Sequence, residues 1–235
     1  MVANNLKTKY PTMASNIIPI KLWGKGGPNP PKVAIVLEEL GLPHEFQPIT
    51  LADVKTPEYL AINPNGRLPA IYDPNTDLTL WESGAIIEYL VDRYDTSRKI
   101  SFEPGSKEAQ LARQWLFFQA SGQGPYYGQA CWFKKFHPER VPSAVERYVK
   151  EINRVSGVVN DFLSMQETGQ GGPWLVGGRV SFADLAWASW QIIVTKLIQE
   201  EDGYDVNKFP FVKDWLDRML SREPVRKVIE EARQL

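Results

Sequence analysis

The hydrophobic pattern of the first part of the chain switches between the periods of strands and helices. Ile18, Ile20 and Leu22 alternate with polar residues, which predicts a strand. A turn rich in glycine and proline follows at residues 24–31. Apolar side chains then recur at helical spacing and end at Gly41, where a left-handed helix cap is usual. The chain is therefore predicted to begin as strand, loop and helix.

Three more strands and two more helices are predicted before the chain becomes polar. The strands cover residues 45–51, 68–72 and 78–81, and a turn rich in Asp, Pro and Asn separates the last two. A short helix is predicted at residues 57–62, and a longer one begins at residues 82–83. The order is βαβ followed by ββα.

Beyond a polar segment at residues 95–107 the pattern is helical. Two apolar stripes carry this prediction, one at Leu111, Trp115 and Phe118 and the other at Val145, Val149, Ile152, Val155 and Val159. We therefore expect a disordered lead-in at residues 1–15, a small α/β domain at residues 16–95 and an all-helical domain at residues 107–235.

Composition and charge narrow the classes of function. With 27 basic and 28 acidic side chains the net charge is −1, which gives no electrostatic reason to expect nucleic acid or an anionic membrane as partner. A single cysteine, Cys131, and two histidines, His44 and His137, predict no internal disulfide and no metal site. The polar residues 1–16 lack a secretory signal, and the apolar stretch at 185–194 is too short to span a bilayer, so we expect a cytoplasmic protein.

Motifs for serine hydrolases, phosphate loops and zinc proteases are absent, which excludes these classes. The candidate functional residues lie in three segments of the α/β region. Asn29 stands at a helix entrance, where free N–H groups favour an anion, although Asn-Pro is by itself more often a turn. In residues 63–70, Pro69 is either an ordinary edge residue or a cis-proline beside an extended ligand. Glu82 and Ser83 begin the next helix, where a serine alone would be a plain N-cap.

Together these segments resemble the glutathione-binding domain of the glutathione S-transferases, and the likeness extends over nearly the whole chain. Residues 63–70 and 81–90 are similar to the family's proline and Glu-Ser elements. Residues 28–41 resemble the nu-class and fungal branch, which holds the yeast prion regulator of nitrogen catabolism. Ser181 and Asp184 are similar to the family's capping box. The resemblance implies a thioredoxin-like α/β domain followed by an all-α domain, glutathione as cofactor and a homodimer.

The resemblance also implies how glutathione is held. Leu68, ahead of a cis-Pro69, would exchange backbone hydrogen bonds with the cysteinyl unit. Ser83 would take the γ-glutamyl carboxylate, and Glu82 would receive the ammonium group.

A thiolate near neutral pH needs a stabilising group. Residues 23–31 contain no Tyr, Ser, Thr or Cys, so no hydroxyl or thiol of this loop can stabilise it. The branch carries an asparagine at the matching place, and the resemblance therefore implies that Asn29 holds the sulfur. Lys25, in the same loop, would add positive charge. Lys55 and Arg67 are the local candidates for the glycine carboxylate, although the branch gives no motif for them.

The second substrate is expected between the domains. Tyr126 and Tyr127 are placed near this electrophile, although aromatic residues at their spacing are more often core. Cys131 is interpreted as a packing residue. Arg147 either reaches a neighbouring subunit's ligand or is a solvated residue on a helix face.

These inferences favour a transferase that adds the thiolate to an electrophilic small molecule, in detoxification or in fungal secondary metabolism. A cis/trans isomerase and a disulfide reductase would use the same site. A non-enzymatic regulatory binding protein ranks lower, because the chain lacks a long extension rich in Asn and Gln.

Overall fold

A four-stranded mixed sheet forms the first part of the protein. The computed structural model describes residues 17–168 and 171–233, so the predicted disordered lead-in at residues 1–15 lies outside the described residues. The strand order is β2-β1-β3-β4, with β1 parallel to β2 and antiparallel to β3, and with β3 antiparallel to β4. The strands are β1 (Ile20–Trp23), β2 (His44–Gln47), β3 (Ala70–Asp73) and β4 (Leu78–Trp81).

Three strands differ from the sequence prediction at their ends. β1 starts at Ile20, because the backbone of Ile18 instead exchanges hydrogen bonds with the side chain of Asn75. β2 stops after Gln47, where a proline with no N–H to donate follows. β3 starts at Ala70 rather than two residues earlier, since Pro69 also lacks a donor for the ladder. β4 has the predicted bounds.

Helices form the rest of the described chain. They are α1 (Asn29–Glu39), α2 (Pro57–Leu60), α3 (Ser83–Tyr94), α4 (Lys107–Phe118), α5 (Gly124–Cys131), α6 (Pro142–Ser164), α7 (Phe182–Leu185), α8 (Ala188–Leu197), α9 (Pro210–Leu220) and α10 (Glu223–Arg233). A π-helical turn, Gln119–Gln123, joins α4 to α5. None of the helices that the structure describes is long and apolar enough to cross a membrane. The division at residues 95 and 107 into two domains stays a prediction.

Helix α1 is buried between the sheet and the later helices. Val33, Val36 and Leu37 are fully buried, as the periodicity predicts. At its C-terminal end the carboxylate of Glu39, which has no exposed surface, accepts two hydrogen bonds from the guanidinium of Arg222, at 2.6 and 2.8 Å. This two-point pair fixes α1 against the start of α10.

The capping box predicted in the helical part is present. Asp184 accepts hydrogen bonds from the backbone and hydroxyl of Ser181, and also from Leu175 N–H and the Trp215 indole. Burial raises the pKa of the Asp184 carboxyl, and these four donors oppose that rise. A buried carboxylate with four donors ties α7 to the segment before it and to α9.

Candidate functional site

The candidate site lies at the end of the sheet where β1 and β4 stop and β3 begins. Ala70, the first residue of β3, is paired with Trp23 of β1 on one side and with Trp81 of β4 on the other. Residues just beyond these antiparallel partners stay adjacent. The three segments that the sequence singled out therefore meet at one end of the sheet.

A cleft of about 300 Å³ opens at this end. Its lining residues are Asn29, Val54, Lys55, Gly66, Arg67 and Leu68. Four of these six belong to the predicted site: Asn29, Lys55, Arg67 and Leu68. Both cations are exposed, and Lys55 donates a hydrogen bond to the carbonyl of Asn65 at 3.0 Å. The cleft thus joins a helix N-terminus to two positive charges, an arrangement that suits an anionic ligand.

Asn29 is the first residue of α1, where backbone N–H groups have no partner within the helix. Its Oδ1 accepts a hydrogen bond from the indole Nε1 of Trp190 at 3.0 Å. An indole N–H can only donate, so the accepting atom is the amide oxygen, and this determines which way the amide is turned. The Asn29 Nδ2 group has no acceptor among residues 17–168 and 171–233. It is available as a donor to a ligand.

The loop before α1 packs directly against Leu68. Gly24 has a φ of +98°, and a Cβ at this position would lie 2.9 Å from Cγ of Pro30 and 3.1 Å from Cβ of Leu68. Only glycine fits this close approach at a positive φ. The sequence interpretation of this glycine as a simple turn former missed its second role, which is to let two parts of the cleft touch.

The turn before β3 is held by two side chains that sequence reasoning missed. Asn63 Nδ2 and the Tyr59 hydroxyl both donate to the carbonyl of Arg67, at 2.6 and 2.8 Å. The Leu68–Pro69 peptide is cis, as predicted. Within the described chain the backbone N–H and C=O of Leu68 form no hydrogen bond, so both can pair with an extended ligand. The Asn-Pro-Asn-Gly sequence was the available signal for such a fixed turn.

Glu82 and Ser83 lie beside this turn, at the start of α3. Glu82 has a φ of 71°, a strained value for a residue with a side chain, and its carboxylate is exposed. Asn65 Nδ2 donates to its Oε1 at 3.5 Å. Ser83 is the first residue of the helix and is buried. The two residues do not line the cleft described above, but Asn65 connects Glu82 to it.

A buried lysine, also missed by sequence reasoning, lies one helical turn after Asn29. Lys32 is only 3% exposed, and its ammonium group donates to Oε1 of Gln119 at 2.9 Å. Burial lowers the pKa of Lys32 to about 7, and the charge of Glu82 opposes this shift. A polar residue in an otherwise apolar helix segment was the only sign of it in the sequence.

Two predicted cations lie in ion pairs outside the cleft lining. Lys25 Nζ is 3.3 Å from a carboxylate oxygen of Glu231, and it lies over the Phe46 ring, 5.1 Å from the ring centre. Arg147 is exposed and pairs with Glu151, one turn along α6, at 2.7 Å. Glu231 therefore offsets the charge that Lys25 brings to the loop. The roles assigned to Lys25 and Arg147 stay predictions.

The predicted electrophile pocket needs a correction at Tyr127. This side chain has no exposed surface, and its hydroxyl lies 2.9 Å from Ser156 Oγ and 3.4 Å from Gln191 Oε1, inside the helical core. Placing Tyr127 near the second substrate was wrong, because helical spacing turns it inward. Tyr126 is half-buried and stays a prediction. Cys131 is buried, as expected of a packing residue, and burial raises the pKa of its thiol to about 11.

Comparison with known proteins matches both parts of the chain. The family described as "Glutathione S-transferase, N-terminal domain" matches residues 25–98, and "Glutathione S-transferase, C-terminal domain" matches residues 125–223. The chain is 72% identical to the Glutathione S-transferase-like protein gedE of Aspergillus terreus, over 92% of this chain and 96% of that protein.

The comparisons also confirm the resemblance to the fungal branch. The Transcriptional regulator URE2 of Saccharomyces cerevisiae is 34% identical, over 87% of this chain and 66% of that protein. The crystal structure of Ure2p5 from Phanerochaete chrysosporium, cocrystallised with 1-(S-glutathionyl)-2,4-dinitrobenzene, superimposes with a TM-score of 0.82. It is 37% identical and covers 94% of this chain and 97% of that one. The predicted fold class, a thioredoxin-like α/β part followed by an all-α part, is confirmed. The chain belongs to the glutathione S-transferase family.

Proposed function

We propose that this protein is a glutathione transferase that adds the thiolate of glutathione to an electrophilic small molecule. The observation that carries the proposal is the Asn29 amide, which is turned so that its Nδ2 group, with no acceptor among the described residues, is a donor at the wall of the cleft. Its place at the N-terminus of α1 adds the helix dipole, which favours a negative charge. Both features stabilise a thiolate.

The rest of the cleft suits the other parts of glutathione. The backbone of Leu68, which has no partner within residues 17–168 and 171–233, would exchange hydrogen bonds with the cysteinyl unit. The Ser83 hydroxyl and N–H at the start of α3 would hold the γ-glutamyl carboxylate, and the Glu82 carboxylate would receive its ammonium group. Lys55 and Arg67 supply positive charge for the glycine carboxylate.

In the reaction the sulfur of glutathione forms a bond to the electrophilic carbon, and the electron pair moves onto the acceptor or a leaving group. Asn29 holds the thiolate by a hydrogen bond and the helix dipole, and it takes no proton, so the thiol proton passes to solvent. Cys131 is not a competing nucleophile, because burial raises the pKa of its thiol to about 11. The protein thus takes its nucleophile from the cofactor.

The relatives favour conjugation over regulation. One solved structure with the same fold was cocrystallised with a glutathione conjugate of a dinitrobenzene, in which the sulfur is bonded to an aromatic carbon, as after thiolate attack and departure of a leaving group. The similarity to a transcriptional regulator keeps a non-enzymatic binding protein as the alternative. Isomerisation and disulfide reduction would use the same thiolate.

The test is to titrate the bound glutathione by the ultraviolet absorbance of its thiolate. Asn29→Ala should raise the pKa of the bound thiol by about one to two units, since a hydrogen bond to a charged group contributes roughly 1.5–3 kcal/mol. Asn160→Ala is the matched control: Asn160 is a half-buried asparagine of α6 outside the cleft lining, its Oδ1 accepts a hydrogen bond from Phe211 N–H, and its loss should leave this pKa unchanged.

Incubation with glutathione and candidate electrophiles, followed by mass spectrometry, separates the reactions. An adduct with the mass of glutathione supports conjugation. A product with the mass of the substrate but a different retention time would show that the reaction is isomerisation and not conjugation. A protein that binds no glutathione would overturn the proposal as a whole.

A further inference from the structure

Two adjacent residues of α8 bind two adjacent residues at the entrance of α1. Ser189 Oγ donates to the carbonyl of Pro28 at 2.5 Å, and Trp190 Nε1 donates to Oδ1 of Asn29 at 3.0 Å. Residues 161 positions apart in the sequence are thus joined at the candidate site. From this geometry we propose that Trp190 is the positioning residue that keeps the Asn29 amide turned with its Nδ2 group toward the glutathione sulfur. The assignment rests on the proposed function.

The hydrogen bond from Trp190 fixes the orientation of the Asn29 amide. This matters because the Oδ1 and Nδ2 atoms of the amide have opposite effects on a neighbouring thiolate. A half-turn about the last side-chain bond exchanges an oxygen for an NH₂ group. A carbonyl oxygen next to a thiolate repels it, whereas an N–H stabilises it. The indole N–H of Trp190 can donate a hydrogen bond but cannot accept one. The bond therefore forms only when the amide oxygen of Asn29 faces the indole.

The indole is itself held in place by small residues of α5. Trp190 is 8% exposed. A Cβ at Gly128 would lie 3.1 Å from the indole Cη2, and a Cβ at Gly124 would lie 3.6 Å from Nε1. These two glycines lie four residues apart, on one face of the helix, and form the slot that the ring fills. An indole confined on this side has little freedom to leave Asn29.

A second set of contacts keeps α1 in register with the same helices. Lys32 donates to Gln119, whose Nε2 donates to Gln123 at 2.9 Å, and Gln123 Nε2 donates to the carbonyl of Trp187 at 3.2 Å. This chain of buried amides ends just before α8. The packing of α1 against α8 therefore sets the distance between Asn29 and Trp190. The indole N–H of Trp190 is not needed for this packing, and its effect is on the orientation of the Asn29 amide.

The test uses Trp190→Phe, which keeps an aromatic ring in the slot but removes the donor. Without the N–H the amide loses a buried hydrogen bond that biases its orientation about fivefold. The pKa of bound glutathione should rise by about 0.2–0.7 units, the upper limit being the logarithm of the fivefold bias, while the dissociation constant of glutathione, set mainly by its two ends, changes less than about threefold. Trp132→Phe, a half-exposed indole in the turn after α5, is the control and should change neither quantity.

A double variant separates orientation from a general structural effect. In an Asn29→Ala background no amide remains to be turned, so adding Trp190→Phe should leave the thiol pKa at the Asn29→Ala value. Additive shifts in the double variant, or a Trp190→Phe protein with the wild-type thiol pKa, would overturn the assignment of Trp190 and leave the proposed function intact. A wild-type protein with no bound thiolate would instead contradict the proposed function.

Discussion

The buried ammonium of Lys32 should make the protein more stable as the pH rises above neutral. Its pKa is lowered from 10.5 to about 7 by burial, against the attraction of Glu82. At pH values between about 7 and 10.5, Lys32 of the unfolded chain is more protonated than Lys32 of the folded chain. The free energy of unfolding therefore increases with pH through this window, because folding no longer has to bury a charge. Replacing Lys32 by Met removes the titrating group at nearly the same length.

The magnitude follows from the size of the shift. At about 1.36 kcal/mol per pKa unit, burying the charged form costs roughly 4–5 kcal/mol relative to the neutral amine, and about 2 kcal/mol of this disappears between pH 7 and pH 9. Lys32→Met also leaves the Gln119 amide oxygen without its donor, which costs about 1–3 kcal/mol at any pH. The variant should thus be more stable than wild type by about 1–3 kcal/mol at pH 7, an advantage that is largely lost at pH 9.

The measurement is urea unfolding of both proteins at pH 7 and pH 9, at one salt concentration. Groups other than Lys32 titrate in both proteins, so the difference in unfolding free energy between them isolates this lysine. Lys107→Met, at the exposed start of α4, controls for the loss of a lysine as such. A difference between Lys32→Met and wild type that is equal at the two pH values would refute the reasoning, and so would one that grows at pH 9.

Three other substitutions test the site and its support. Gly24→Ala places a Cβ 2.9 Å from the ring of Pro30 at a φ of +98°, so the free energy of unfolding should fall by about 1–3 kcal/mol and the melting temperature should fall with it. The increase in melting temperature on adding glutathione should also be smaller than in the wild type. Arg222→Met leaves the fully buried Glu39 carboxylate without its two-point partner, and denaturant unfolding should show a loss of about 3 kcal/mol. Cys131→Ala should keep full transferase activity, and iodoacetamide should label Cys131 of the folded protein far more slowly than of the urea-unfolded protein at pH 8, because burial raises its pKa to about 11.

Hydrophobic periodicity was enough to locate the four strands and the helices α1, α2, α3, α4 and α6, whereas α5, α8, α9 and α10 were not predicted individually. The alternation at Ile20 and Leu22 and the helical stripe through Val149, Ile152 and Val155 each correspond to a fully or almost fully buried face. The errors at the end of β2 and the start of β3 could have been avoided by counting backbone donors, because Pro48 and Pro69 have no N–H for the ladder. The error at the start of β1 could not, because the Ile18 backbone pairs with the distant Asn75 side chain.

The candidate site was predicted only as separate segments. Asn29 and Leu68 were predicted from their motifs and Lys55 and Arg67 only as nearby cations, and the structure places all four on one cleft. Tyr127 was misplaced, because a spacing of aromatic residues does not tell which side of a helix meets the core. Whether the protein is a homodimer, with Arg147 reaching a partner's ligand, stays a prediction.

The residue types of each short segment are enough to predict its local features: a glycine at a turn, a proline before β3, a serine at the start of α3 and an asparagine at the start of α1. Those features depend on backbone geometry over a few residues, which local residue types control. The orientation of the Asn29 amide and the low pKa of Lys32 could not be predicted from local residue types. Both depend on partners far along the chain, Trp190 and Gln119, whose hydrogen bonds and burial exist only once α1 is packed against the later helices.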